Sequence, residues 1–264
     1  MIAEETEPPS RDREPQRGPG SPFDASRVAP HDDTSATTRR PTTATGLEGG
    51  MERAAAALKP RLRGWLHAGV FPVALAGGIV LLAVSRSAAA VAACAVYAVS
   101  ACLLFGTSAV YHRGTWGPRG GAVLRRLDHA NIFLIIAGTY TPLAVVLLPA
   151  DRQRLLLTVM WAGALAGVAF RILWIGAPRW LYTPCYIALG WVAVFNLPDF
   201  ARTGGAAVVV LVIAGGLLYT AGAVVYGLKR PDPSPSWFGF HEVFHALTIA
   251  AFAAHYTAIL LAVA

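Results

Sequence analysis

Seven runs of apolar residues, each long enough to cross a bilayer as a helix, follow one another from residue 65 to the end of the chain. A transmembrane helix needs about 20 predominantly apolar residues. The pattern places helices over 65 to 84, 88 to 111, 128 to 148, 154 to 173, 180 to 198, 206 to 228 and 241 to 263. The connections are short, and most carry helix-ending or turn chemistry, as in HRGTWGPRGG after the second run and KRPDPSPSWFG before the seventh. The fold class this predicts is all-α, a polytopic membrane protein of seven transmembrane helices.

Composition agrees, because 55% hydrophobic and 14% charged residues is too apolar for an ordinary soluble domain. Charge is unevenly placed. Residues 1 to 50 carry nine acidic and six basic side chains among many Pro, Ser, Thr and Gly, with almost no apolar periodicity. Such a segment cannot bury enough apolar surface to fold, so residues 1–55 are expected to be a disordered tail and 56–264 the membrane domain. From residue 51 onward sixteen Lys or Arg face six Asp or Glu. The basic isoelectric point therefore reflects membrane loops, and no basic patch with interleaved aromatics points to nucleic acid. The first 50 residues also lack the apolar core of a secretory signal. Cys94, Cys102 and Cys185 sit singly in apolar runs, which fits neither a disulfide framework nor a thiolate metal site.

Orientation follows from the excess of Lys and Arg in short cytoplasmic loops. With the N-terminus inside, the inner segments hold twelve basic residues, among them Arg61, Arg63, Arg113, Arg125, Arg126 and Arg179, and the outer ones four. The expected topology is N-terminus cytoplasmic and C-terminus outside.

This topology gathers the polar residues. His112 ends the second run, Asp128 begins the third, and His241 with His245 begin the seventh, so all four are expected at the cytoplasmic margin. Ionisable groups inside a membrane are expensive and need partners or a function. His241 and His245 are four residues apart, as are Ser108 and His112, and that spacing stacks side chains on one helix face. Three neutral imidazoles with a water in the fourth position make the catalytic type of zinc site. Asp128, on a polar face with Asn131 and Thr139, is placed to hold that water or accept its proton.

HEVFH, residues 241–245, also spells the H-E-x-x-H of zinc metalloproteases, in which the Glu is the general base. Intramembrane proteases of that type take a third ligand from an LDG-like motif on another span, which this chain lacks. Glu242 has a simpler role available, since a carboxylate in a helix's first turn favours the positive end of the macrodipole.

KPRLRGWLHAGVFP, SAVYH, RLDHANIFLIIAGTYTPLA and HEVFH followed by AHYTAI together resemble the hemolysin III branch of the progestin and adiponectin receptor family. The resemblance runs from about residue 59 to the C-terminus. That family, within a superfamily similar to the alkaline ceramidases, shares a Ser and a His separated by three residues, an Asp, and two His separated by three. Ser108, His112, Asp128, His241 and His245 match it position for position. The resemblance implies Zn2+ on the three His, Asp128 near the metal-bound water, and Ser108 as a supporting or polarising group. It also implies the bacterial plasma membrane, with a membrane lipid as substrate or ligand.

The remaining histidines read otherwise. His67 is expected to be an interfacial side chain and His31 solvated, while His129 points about 100° from Asp128. His255 lies too far along the seventh helix to share a metal with His241, and is expected to hydrogen-bond within the bundle. The function expected is zinc-dependent hydrolysis of a lipid amide, with Asp128 and Ser108 catalytic. A receptor or sensor with a structural zinc, and a pore-forming cytolysin, are the other classes.

Overall fold

The computed structural model describes residues 60–174 and 176–264, so the expected tail, and His31 with it, lie outside the described residues. Seven α-helices follow: α1 (Trp65–Val84), α2 (Ala88–Arg113), α3 (Pro118–Leu147), α4 (Ala150–Leu173), α5 (Arg179–Trp191), α6 (Leu197–Leu228) and α7 (Phe240–Val263). A 3-10 segment, Val192–Asn196, joins α5 to α6. Among the described residues the only β pairing is an isolated bridge between Ser234 and Phe238.

Local chemistry sets several ends. Ser87 caps α2 by accepting the Ala90 N–H at 3.1 Å. Pro118 and Pro198 occupy the first turns of α3 and α6, where a missing N–H costs nothing. Pro198 therefore starts a helix and does not bend one.

Two connections differ most from the sequence expectation. α3 begins ten residues early, at Pro118, because the polar stretch PRGGAVLRRL is helical although too basic to count as membrane-spanning. Asp128 is consequently inside α3 rather than at its start. The loop expected between 198 and 206 is also largely helical, and the break narrows to Gly205, at φ 79° and ψ 174°. That conformation is open essentially to glycine alone.

Six helical stretches are long and apolar enough to cross a membrane, the 50-residue run Arg179–Leu228 counting as one. That run folds back on itself. Arg179 Nη1 donates to the Tyr226 carbonyl at 3.1 Å and Trp191 Nε1 to Thr220 Oγ1 at 2.9 Å, with Gly205 near the midpoint of both pairs.

The bundle is apolar outside and polar within. Val73, Ile79, Leu155, Leu165, Val210 and Leu217 face outward, while Ser100, Asn131, Thr139, Glu242, His245 and His255 are buried. An aqueous protein reverses this arrangement, and a lipid-embedded one has it. α3 is the central helix, packed against α2, α4, α5, α6 and α7. Its Ala137–Ala144 turn pair is buried on every side. Small residues allow this approach: a Cβ on Gly138 would lie 2.6 Å from Ser100 Oγ of α2. Thr139 and Thr141 satisfy their hydroxyls on the carbonyls four residues back, at 2.7 and 2.8 Å.

One end of the bundle is marked chemically. Trp65, Trp116, Trp174, Trp180 and Trp237 are exposed at helix ends or connections there, beside Arg113, Arg125, Arg126, Arg171 and Arg179. The Arg113 guanidinium lies 3.4 Å from the centroid of the Trp65 ring and that of Arg61 4.6 Å from Trp237. Exposed Trp with basic side chains is the interfacial signature of a membrane protein.

Candidate metal centre

At this basic end the last two turns of α2 and the first two of α7 face each other. Ser108 and His112 project from α2, His241 and His245 from α7, and each pair's four-residue spacing turns both members inward. One ring nitrogen from each of His112, His241 and His245 lies within 4.8 Å of the others, and the three residues could hold a metal ion. His112 Nε2 and His241 Nε2 are 3.1 Å apart. Two nitrogens at 2.0–2.1 Å from a tetrahedral ion stand about 3.4 Å apart, so this pair comes near that spacing. His112 and His245 are 7% and 2% exposed, which keeps bulk water from competing for them.

Asp128 completes the cluster from α3, with Oδ2 3.7 Å from His112 Nε2. The Ser108 side chain lies within hydrogen-bonding reach of this carboxylate. All five residues singled out in the sequence therefore meet at one place, although they come from three helices.

Glu242, the carboxylate of HEVFH, turns away. Its Oε1 pairs with Arg63 Nε at 2.5 Å, and its Oε2 accepts the Gly239 N–H at 2.9 Å, closing the start of α7. Both oxygens are engaged in structure. The segment before α1 is further tied to the loop before α7 by Arg61 N–H to Ser236 O, at 3.0 Å.

His67 corrects the sequence expectation. It is 2% exposed, not interfacial, and its ring stacks on that of His245 with centroids 3.8 Å apart and planes 7° from parallel. Phe105 meets it edge-on at 5.1 Å. The helical repeat carries a signal for this: His67, Ala74, Gly78 and Leu81 form the buried stripe of α1. His129 is occupied elsewhere. Its Nδ1–H donates to the Arg125 carbonyl at 2.7 Å, so Nε2 accepts from the Tyr226 hydroxyl at 3.1 Å, and Tyr226 also meets Tyr182 at 3.2 Å.

A cavity with about 100 Å³ of water-accessible space opens from this cluster into the bundle. Ser108, Asp128, His241 and His245 line one end, and Ile132, Ile136, Phe244 and other apolar side chains its body. Its wall is largely apolar with a few convergent polar groups, the lining typical of a small-molecule site.

Fold and site together define a helical membrane protein with a buried three-His cluster able to take a metal. The chain belongs to the haemolysin-III related family, whose model matches residues 55–256. It is 34% identical over 140 residues to Hemolysin-3 of Bacillus cereus, covering 53% of this chain and 64% of that protein. It is also 32% identical over 147 residues to the Hemolysin-3 homolog of Bacillus subtilis (strain 168), covering 55% of this chain and 68% of that one. The match to the first thus spans just under two thirds of its length.

Proposed function

We propose that the chain crosses the bacterial plasma membrane seven times, N-terminus inside, and is a zinc-dependent hydrolase of a membrane-lipid amide. The observation that carries this is the convergence of three His nitrogens and the Asp128 carboxylate at the mouth of an apolar cavity.

Seven crossings are supported by length. A 50-residue helical run extends roughly 75 Å, more than twice the hydrocarbon thickness of about 30 Å, and this one is folded into a hairpin. The excess of basic residues at the end bearing the His cluster supports a cytoplasmic site.

His112, His241 and His245 are the residues that would hold zinc. Bound there with three protein ligands, it would polarise a carbonyl and make water acidic enough to ionise near pH 7. Asp128 is placed to orient the attacking water and take its proton. Ser108 is placed to donate to the oxygen that gains negative charge. The apolar wall around Ile132, Ile136 and Phe244 receives the acyl chain. Water adds to the carbonyl carbon, the C–N bond breaks, and the amine leaves with the proton that Asp128 took up. Fatty acid and amine are the products.

The test is Asp128→Asn in detergent-purified protein supplied with N-acyl lipids. Zinc retained and turnover lost by about 10²- to 10⁴-fold supports the reading. Full turnover in the variant, or none in the wild type across N-acyl lipids, overturns it.

One observation favours a second reading. The His cluster bridges α2 and α7, so zinc there would brace the bundle in a receptor or sensor. The relatives are named hemolysins, which suggests a lytic pore. A brace predicts loss of folding without zinc, and a pore predicts ion flux that needs no metal.

A further inference from the structure

The cavity does not end in hydrocarbon. Its far wall carries His255 of α7 and Tyr219 of α6. His255 lies ten residues beyond His245, roughly 15 Å along the helix axis. It is 5% exposed, and its ring sits 5.6 Å from the Tyr219 ring, centroid to centroid. The backbone makes room for it at Gly215, where any Cβ would collide with the imidazole.

The hydrogen bonding of these two residues is incomplete in a specific way. His255 Nε2 lies 3.1 Å from the Val212 carbonyl. A carbonyl only accepts, so Nε2 carries the proton and the neutral ring presents Nδ1 as a bare acceptor. Nδ1 is buried and has no protein partner, and neither has the Tyr219 hydroxyl oxygen, although both residues face the cavity. A buried polar group left unmatched costs about 1–3 kcal/mol.

We propose that His255 and Tyr219 form a second binding subsite, selective for a hydroxyl group carried on the chain of the cavity's guest. A hydroxyl donates to His255 Nδ1 while its oxygen accepts from the Tyr219 O–H. A keto oxygen satisfies Tyr219 alone, and a methylene satisfies neither. The guest is thus an amphiphile whose hydroxyl stands roughly 15 Å from the group held at the His cluster. This deepens the proposed function, since it rests on the acyl chain entering from the three-His end.

Binding of dodecanamide, 11-oxododecanamide and 11-hydroxydodecanamide to the full chain in detergent, measured by thermophoresis, tests it. An extended chain of about twelve carbons covers the distance. In the wild type the hydroxylated chain should bind roughly tenfold tighter than the plain one, with the keto chain between. Tyr219→Phe and His255→Phe should each remove most of that preference and leave the plain chain's affinity within about twofold. Equal affinities for the three chains, no binding of any, or a preference that survives both substitutions overturns the subsite. Tyr219→Phe keeps the ring, so a folding failure of the His255 variant leaves the test decisive. Failure of the hydrolase reading appears separately, as bound amides that are never cleaved while the hydroxyl preference stands.

Discussion

Glu242 and Arg63 form an ion pair of 2.5 Å across 179 residues of sequence, joining the first turn of α7 to the segment that leads into α1. The Glu242 side chain is 1% exposed and that of Arg63 21%. The carboxylate of HEVFH is therefore committed to holding the two ends of the helical domain together, and a protease reading would need it free. Glu242→Gln is expected to retain stoichiometric zinc and to lose roughly 2 kcal/mol of stability, seen as a lower unfolding temperature in detergent. Unchanged stability, or loss of zinc, would show that the pair does something else.

His67 stacks on His245 and serves as a wall for one ring of the three-His cluster. His67→Phe preserves that flat contact and should keep zinc affinity within a few-fold. His67→Ala removes it, leaves His245 free to tilt, and should weaken zinc by about tenfold. Equal loss in both variants, in zinc-binding titrations, would make His67 a ligand rather than a wall.

Gly205 takes a backbone conformation that other residues resist, and no atom stands near where its Cβ would be. Gly205→Ala should therefore destabilise by about 1–3 kcal/mol through strain alone. Gly227, equally open but inside regular α6, is the control: Gly227→Ala should be neutral or stabilising by up to about 1 kcal/mol. Matching effects of the two substitutions on thermal unfolding would remove Gly205 as the turning point of the Arg179–Leu228 run.

Chelation should act on the wild type in a distinctive way. Removing an ion that ties α2 to α7 lowers the unfolding temperature, because the folded state loses a ligand the unfolded chain binds poorly. His112→Ala should start at the lower temperature and show no further fall with 1,10-phenanthroline. A variant as sensitive as the wild type would place the chelated metal elsewhere.

Much of this site is legible in the amino-acid sequence. The spacing of Ser108 with His112 and of His241 with His245 follows from the helical repeat, and counting crossings puts them at one end with Asp128. What stays hidden depends on contacts between distant segments. Arg63 as the partner of Glu242 has no local signature, and His67 reads as interfacial because it stands only three residues into α1. The start of α3 escapes a hydropathy reading because hydropathy registers membrane depth, while Pro118 to Leu127 is helix outside the apolar run. The hairpin turn is blurred because most of the stretch expected as loop is helical, and one glycine carries the break.

The most direct measurement is zinc per chain, by elemental mass spectrometry of protein purified in detergent without chelator. About one zinc in the wild type and in Glu242→Ala, and almost none in His112→Ala, His241→Ala and His245→Ala, is the result the three-His centre requires. A wild type without stoichiometric zinc, or His variants that keep it, would contradict the account at its centre.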